Sequence, residues 1–113
     1  MWRIQRGNKY GAHQTEYNGV VYHSKKEAEY ARELDLRVRA KDIKRWERQV
    51  KISLDVNNRH IANYSIDFVI QHLDKTKEYV EVKGFETAVW KIKWKLFVAL
   101  YGNKKNIKLT IVK

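Results

Sequence analysis

Two short stretches decide the fold: YSIDF at residues 64–68 and YVEVKG at residues 79–84. Apolar and polar side chains alternate in both, which is the period of a β-strand. We predict strands over Ile61–Gln71 and Glu78–Lys83, joined by a polar turn at residues 74–77. The first strand is expected to put Tyr64, Ile66, Phe68 and Ile70 on one face and Asp67 on the other. The second strand puts Glu81 and Lys83 on a shared face.

The flanking sequence supplies the remaining elements. Asn18-Gly19 predicts a type I′ turn within a hairpin at residues 15–22. Alternating residues predict strands over Val50–Val56 and Ile107–Ile111. Two helices are expected, from Ser24 to about Lys41 and from about Thr87 to Tyr101, the second stopped by Gly102 as its C′ residue. This order predicts a mixed α/β (α+β) domain with a central sheet flanked by helices.

Composition narrows the possible partners. The 113 residues carry 24 Lys and Arg against 13 Asp and Glu, a formal charge of +11, which favours nucleic acid as the partner. The chain shows no long apolar run and no signal peptide, so we expect no membrane partner. The absence of cysteine excludes disulfides, zinc–thiolate sites and thiol catalysis, and suits a reducing cytoplasm.

The predicted hairpin groups two carboxylates and one ammonium. Asp67 and Glu81, with the backbone carbonyl of Val82, offer the oxygen ligands that a hard divalent cation takes. Such a cation polarises a phosphate and acidifies water. Lys83 lies on the same side as Glu81 and can orient that water or stabilise developing negative charge. Glu27, on the face of the first helix that turns toward the protein, would complete the site.

Helix-borne Glu27, Asp67 and the Glu81-Val82-Lys83 run together resemble the PD-(D/E)XK nuclease superfamily. That resemblance implies a restriction-endonuclease-like αβββαβ core, Mg²⁺ or Mn²⁺ as cofactor and products with 5′-phosphates. The catalytic residues would be Glu27, Asp67, Glu81 and Lys83, with Asp67, Glu81 and Val82 on the metal and Glu27 reaching it through water. The superfamily's Pro-Asp is Ile66-Asp67 here, and the chain has no proline.

A narrower resemblance covers about residues 8–112. The motifs SKKEAE at 24–29, VKGFET at 82–87 and KWKLF at 93–97 look like those of small phage-encoded nucleases. The Ser-x-x-Glu helix start placed before Asp and Glu-x-Lys is also similar to endonuclease I-type Holliday-junction resolvases. These resemblances imply a phage-encoded homodimer that cuts branched DNA in the cytoplasm of a bacterial host.

The positive charge indicates where DNA would lie. Residues 1–11 are interpreted as a basic N-terminal arm and residues 12–113 as a single nuclease domain. Seven lysines and no acidic residue follow Ala88. Phosphate contacts are expected from eight residues: Arg3, Arg6, Lys9, Lys25, Lys26, Lys91, Lys93 and Lys95.

Several alternatives stay open. The Glu-x-Lys pair can be a solvated strand with cross-strand ion pairs, and Glu27 can be the N3 residue of a capping box with Ser24. Glu47 and Gln49, just before the predicted strand at Val50, could reach the site as in some members of the superfamily, but they are interpreted as surface residues. Trp90 and Trp94 are interpreted as core residues rather than base-stacking ones. The substrate can instead be linear or nicked duplex DNA, and the chain can be a non-catalytic DNA-binding accessory protein of phage recombination.

Overall fold

The computed structural model describes residues 3–7 and 13–113, with side chains from residue 14 onward. The chain forms two compact units, Met1–Asp42 and Ile43–Lys113. Each unit is built around its own sheet. The single domain predicted for residues 12–113 stays a prediction.

The first unit contains a three-stranded antiparallel sheet and one helix. Its strands are β1 (Arg3–Gly7), β2 (His13–Tyr17) and β3 (Val20–Tyr22), in the order β1-β2-β3. Asn18 and Gly19 have φ angles of 52° and 80°. These two positive angles are those of the predicted type I′ turn. Part of the predicted arm is therefore regular structure, because Arg3–Gly7 pairs with β2.

Helix α1 (Lys25–Arg39) follows β3 and begins as the capping motif predicts. Oγ of the N-cap Ser24 accepts a hydrogen bond from the N–H of Glu27 at 3.1 Å. The buried residues of α1 recur at helical spacing, and they are Glu27, Ala28, Ala31 and Leu34. The Tyr17 hydroxyl of β2 donates to Asp35 of α1 at 2.5 Å, which ties the helix to its sheet.

The second unit contains a mixed four-stranded sheet and one helix. Its elements are β4 (Ile43–Val56), β5 (Arg59–His72), β6 (Lys77–Val82), α2 (Ala88–Tyr101) and β7 (Ile107–Val112). The sheet order is β4-β5-β6-β7, with β7 parallel to β6 and the other neighbours antiparallel. The predicted mixed α+β class is confirmed, and from α1 to β7 the element order is αβββαβ.

Strand β4 starts at Ile43 rather than at Val50. It pairs with β5 in a single register from Arg45 opposite Gln71 to Leu54 opposite Ala62. Gln49 has a φ of 49° within this strand. Positive φ is uncommon for a residue other than glycine, so β4 is locally distorted at Gln49.

The core of the second unit lies between its sheet and α2. Leu54, Tyr64, Ile66 and Phe97 are buried together. Val69 and Tyr79 also pack against this cluster, which corrects the predicted faces of β5. Strict alternation would put Val69 on the opposite face from Ile66, so the inward face of β5 changes between them. The distortion at Gln49 lies across from this change.

Helix α2 has a distinct capping residue at each end. Thr87 is the N-cap, and its hydroxyl accepts from the N–H of Trp90 at 3.1 Å. Gly102 follows the last helical residue as expected, but it is the C-cap, with a φ of −65°, rather than the C′ residue. A Cβ at Gly102 would lie 2.6 Å from the carbonyl oxygen of Val98. Glycine is therefore needed there for close approach of the backbone.

Among residues 3–7 and 13–113, no helix is long and apolar enough to cross a membrane. Helix α1 has 15 residues and α2 has 14, whereas a bilayer takes roughly 20 apolar residues.

Candidate active site

The hairpin of β5 and β6 opens where its two acidic residues stand. Pairing runs from Gln71 opposite Lys77 to Phe68 opposite Val80 and ends there within the described strands. Asp67 and Glu81 occupy the next position on each strand. We call this pair of positions the open end of the hairpin. Because facing residues of antiparallel strands lie side by side, the open end brings two carboxyl groups together.

Asp67 is fixed by two hydrogen bonds. Its Oδ2 accepts from the main-chain N–H of Val82 at 2.9 Å, and its Oδ1 accepts from Nε2 of Gln49 at 3.3 Å. The side chain thus supplies the partner that β5 no longer offers to Val82. Since Val82 is 4 % exposed and Asp67 7 %, this bond also satisfies a buried N–H.

Glu81 is more deeply buried, with 1 % of its surface exposed. Its Oε1 accepts a hydrogen bond from the Tyr64 hydroxyl at 2.9 Å. No donor among the described residues makes a hydrogen bond to Oε2. The Lys83 ammonium lies 3.4 Å from Oε2, within ion-pair distance but without hydrogen-bond geometry. One oxygen of Glu81 is therefore engaged and the other is available.

The positive charge around Asp67 and Glu81 is not sufficient to keep both carboxyl groups ionised. Burial, and after it the neighbouring charge of Asp67, raises the pKa of Glu81 to about 8, although Lys83 and the Tyr64 hydroxyl act in the opposite direction. In the absence of a cation, Glu81 therefore carries a proton at neutral pH for much of the time. A divalent cation would replace that proton.

Tyr64 and Trp90 extend the site into α2. The indole N–H of Trp90 donates to the Tyr64 oxygen at 3.0 Å. Burial, followed by the negative charge of Glu81, raises the pKa of Tyr64. The hydroxyl therefore stays protonated and acts as a hydrogen-bond donor. Nζ of Lys83 lies 5.0 Å from the ring centre of Trp90, within the range of a cation–π interaction.

The donor set fits a hard divalent cation. Asp67 and Glu81 offer carboxylate oxygens at one place, and Oε2 of Glu81 is buried without a hydrogen bond. Within residues 3–7 and 13–113, no group of three or more His, Cys, Asp or Glu side chains gathers to bind metal. Mg²⁺ does not need such a group, because it commonly keeps several waters and binds through one or two carboxylates.

The structure brings together three of the predicted catalytic residues, which are Asp67, Glu81 and Lys83. The predicted shared face of Glu81 and Lys83 is confirmed by their ion pair. Val82 lies beside Asp67 through its N–H. Glu27 belongs to the first unit, where its N–H bonds to Ser24 as a helix cap requires. Its part in the active site stays a prediction.

The basic residues predicted to contact DNA differ in their surroundings. On α2, Lys91 and Lys95 are exposed, whereas Nζ of Lys93 donates to the carbonyl oxygen of Asn63 at 2.9 Å. Lys25 lies 3.9 Å from Glu29 in a weak surface ion pair. Lys26, the next residue, is partly exposed. Arg3 and Arg6 lie in β1, and Lys9 lies outside the described residues.

Three residues of the site were not anticipated. Of the two residues for which the sequence left a site role open, Gln49 donates from its Nε2 to Oδ1 of Asp67, whereas Glu47 is exposed. Gln49 stands between two residues of β4 whose partners, Phe68 and Ile66, flank Asp67. Only this strand register reveals that Gln49 lies beside Asp67. Tyr64 and Trp90 looked like core residues, and both are, but each also uses its polar atom in the site. A buried Tyr or Trp usually needs such a partner.

Comparison with known families gives one match. Residues 7–113 match the family described as "Protein of unknown function (DUF1064)". No curated protein and no solved structure matches the chain.

Proposed function

The chain belongs to the DUF1064 family, and we propose that it is a metal-dependent endonuclease that hydrolyses phosphodiester bonds in DNA. One observation carries the proposal. Asp67 and Glu81 meet in a buried position with an ammonium 3.4 Å from Glu81 Oε2, and that oxygen has no hydrogen bond among the described residues. Two adjacent buried carboxyl groups are costly unless a cation or proton lies between them.

The alternative interpretation of Glu81-Val82-Lys83 is a solvated strand with cross-strand ion pairs and no catalytic role. Burial of Glu81 argues against it, because a surface ion pair would leave the carboxylate in water. A purely stabilising role in the core is also a poor explanation for Glu81. An apolar residue of similar volume at this position would make the protein no less stable. A buried, incompletely paired acid is better explained by function.

Each residue of the proposed active site would have a distinct role in hydrolysis. Asp67 and Glu81 would hold Mg²⁺ or Mn²⁺, together with the Val82 carbonyl. When bound, the cation would supply the Lewis acidity that polarises a phosphate and acidifies water. Lys83 would place its ammonium beside the phosphate and stabilise the negative charge that develops there. Gln49 and the Val82 N–H hold Asp67 in place.

DNA is the proposed substrate because of charge. The chain carries a net charge of +11, and exposed Lys91 and Lys95 lie on α2, the helix that also bears Trp90. Within the described part of the chain, neither lysine has a carboxylate within ion-pair distance. Lysines of this kind contact phosphates and make binding depend steeply on salt.

The finer proposal is membership of the PD-(D/E)XK superfamily with branched DNA as substrate and a homodimer as the active form. The αβββαβ element order and the carboxylates at the open end of the hairpin support it. A domain of this size has little surface for reading base sequence, whereas DNA shape can be recognised through backbone contacts.

A cleavage assay tests the proposal. The protein would be incubated with four-way junction, flap, nicked, linear duplex and single-stranded DNA, with Mg²⁺ or with EDTA. We expect cuts that require Mg²⁺ and fall most heavily on branched substrates. D67N, E81Q and K83A should each abolish cleavage while changing DNA affinity by no more than a few-fold.

Two other results would point elsewhere. Preferred cutting of linear or nicked duplex would keep the chemistry and change the substrate. Absence of cleavage on every DNA, with similar loss of affinity in the three variants, would indicate a non-catalytic DNA-binding protein and overturn the proposal.

A further inference from the structure

We propose that Trp90 and Tyr64 are positioning residues for the active site, with Trp90 fixing both Glu81 and Lys83 from helix α2. This inference rests on the proposed nuclease function. It assigns a role to two side chains that sequence motifs do not mark.

The direction of the hydrogen bonds is settled by chemistry. An indole N–H can donate but cannot accept, so in its 3.0 Å contact the Tyr64 oxygen is the acceptor. The single proton of the Tyr64 hydroxyl is then free to point to Oε1 of Glu81, 2.9 Å away. The chain of donors therefore runs in one direction, from Trp90 to Tyr64 to Glu81.

This direction decides which oxygen of Glu81 is available. Oε1 receives the Tyr64 proton, whereas Oε2 receives no hydrogen bond from the described residues. Without Trp90, the Tyr64 hydroxyl could rotate and donate its hydrogen bond to a partner other than Glu81. With Trp90 in place, the carboxyl group is held in one orientation and Oε2 is kept for a cation. Hydrogen bonds to metal ligands commonly act in this way.

The face of the same indole holds the ammonium. Nζ of Lys83 lies 5.0 Å from the ring centre of Trp90 and 3.4 Å from Oε2 of Glu81. An ammonium over an indole face is attracted by the ring quadrupole. Trp90 thus acts on Glu81 of β6 through its N–H, by way of Tyr64, and on Lys83, the residue after β6, through its ring.

Trp90 is itself well fixed. Its main-chain N–H donates to the N-cap hydroxyl of Thr87 at 3.1 Å. Its ring stacks on that of Trp94, with centroids 5.9 Å apart and an interplanar angle of 18°. A side chain held at its backbone and at its ring can impose a geometry on its neighbours.

The experiment compares Y64F and W90F with the matched control W94F. Trp94 lies in the same stack and helix. W94F keeps an aromatic ring for Trp90 to stack on and removes only an indole N–H, which makes no hydrogen bond within the described residues. For each purified variant we would measure Mn²⁺ affinity by calorimetry, kcat and KM for cleavage, and Tm. Y64F and W90F should lose about 10- to 100-fold in Mn²⁺ affinity or kcat, as loss of a hydrogen bond to a metal ligand commonly does. W94F should stay within about two-fold of the wild type in both.

A double variant and a second substitution separate positioning from general stability. Y64F/W90F should be no worse than Y64F alone, because both changes interrupt one chain of bonds. W90L, which also removes the ring, should lower kcat below that of W90F with no further loss of Mn²⁺ affinity. Both effects should be present at temperatures far below the Tm of each variant.

The outcomes distinguish the two proposals. If wild-type protein binds Mn²⁺ and cleaves DNA while Y64F and W90F match W94F, the positioning role is overturned and the nuclease function stands. Losses that only follow Tm, or that add in the double variant, would also overturn it. If the wild type neither binds Mn²⁺ nor cleaves any DNA, the proposed function fails and this inference fails with it.

Discussion

The N–H of Val82 donates to Oδ2 of Asp67 at 2.9 Å, one position beyond the last paired residues of β5 and β6. A side chain on one strand thus replaces the main-chain partner of the other. This structural role of Asp67 is separable from the cation binding that we propose for it. It satisfies a buried N–H, and it would bind the cation.

We predict that D67A and D67N differ in stability although both abolish cleavage. D67A leaves the Val82 N–H buried without an acceptor and should lower the free energy of unfolding by about 1–3 kcal/mol. D67N retains an amide oxygen that can accept this bond and should cost less. Urea unfolding at pH 7 without divalent ions would measure both values. Equal stability of the two variants would show that the bond to Val82 is unimportant.

We predict that E81Q stabilises the metal-free protein at alkaline pH. The folded-state pKa of Glu81 is raised from 4.5 to about 8 by burial and by Asp67, against the effects of Lys83 and Tyr64. A raised carboxyl pKa contributes stability below the ordinary value and loses it as pH rises through the folded value. Above pH 8, E81Q should therefore exceed the wild type by on the order of 2 kcal/mol in EDTA.

The same variant shows whether a cation replaces the proton. Mg²⁺ should raise the Tm of the wild type at pH 8, because it binds the folded state, and should leave the Tm of E81Q almost unchanged. A thermal melt of each protein with and without Mg²⁺ makes the comparison. An equal Mg²⁺ response in both proteins would contradict a metal site at Glu81.

We predict that Glu78 stabilises the second unit and that its contribution disappears in acid. Burial opposes ionisation of Glu78, but hydrogen bonds with Thr110 and His72 at 2.6 and 2.8 Å and the charge of Lys108 outweigh it and lower its pKa. The stabilisation is therefore complete above the ordinary value of 4.5 and is lost as pH falls through the lowered one.

E78Q tests this contribution. At pH 7 it should cost about 1–2 kcal/mol, and the difference from the wild type should shrink toward pH 3 in urea titrations. Glu29 offers a control, since its side chain is 54 % exposed and its ion pair with Lys25 is 3.9 Å long. E29Q should change stability by less than about 0.5 kcal/mol. A pH-independent effect of E78Q would exclude the ionised form as its source.

We predict that Lys91 and Lys95 bind DNA phosphates. K91A and K95A should each reduce the slope of log affinity against log salt by about 0.9, the value for one phosphate contact. K77A is the matched control, because exposed Lys77 lies at the opposite end of β6 from Lys83. It should leave the slope unchanged. Equal effects of all three substitutions would indicate attraction by net charge rather than contact on α2.

Local patterns were sufficient for the hairpin that carries the site. Alternation predicted β5 and β6, and the spacing of Glu81 and Lys83 put them on one face, as their ion pair confirms. The start of β4 at Ile43 was not predicted, because residues 44–49 are mostly charged and show no clear period. The charged residues there lie on a strand that has one neighbour in its sheet, so the missing alternation has a physical reason.

Long-range contacts were beyond the reach of local patterns. The bonds from Trp90 to Tyr64 and from Gln49 to Asp67 depend on how α2 and β4 pack against β5. The positive φ of Gln49 accompanies the change of face in β5. It could not be predicted from the sequence, because the residue is not a glycine. Asp67 and Glu81 could be named from their motif, whereas the residues that hold them required the tertiary structure.

The open end of the β5–β6 hairpin leaves its other end free for engineering. The six residues of β6 separate the turn at residues 73–76 from Lys83, a length of roughly 20 Å at the rise of a strand. Lys75 is exposed there and has a φ of 74°, which a glycine adopts without strain. A fluorophore or a surface tether attached through a glycine-containing insertion at this turn would report on the protein without touching its chemistry.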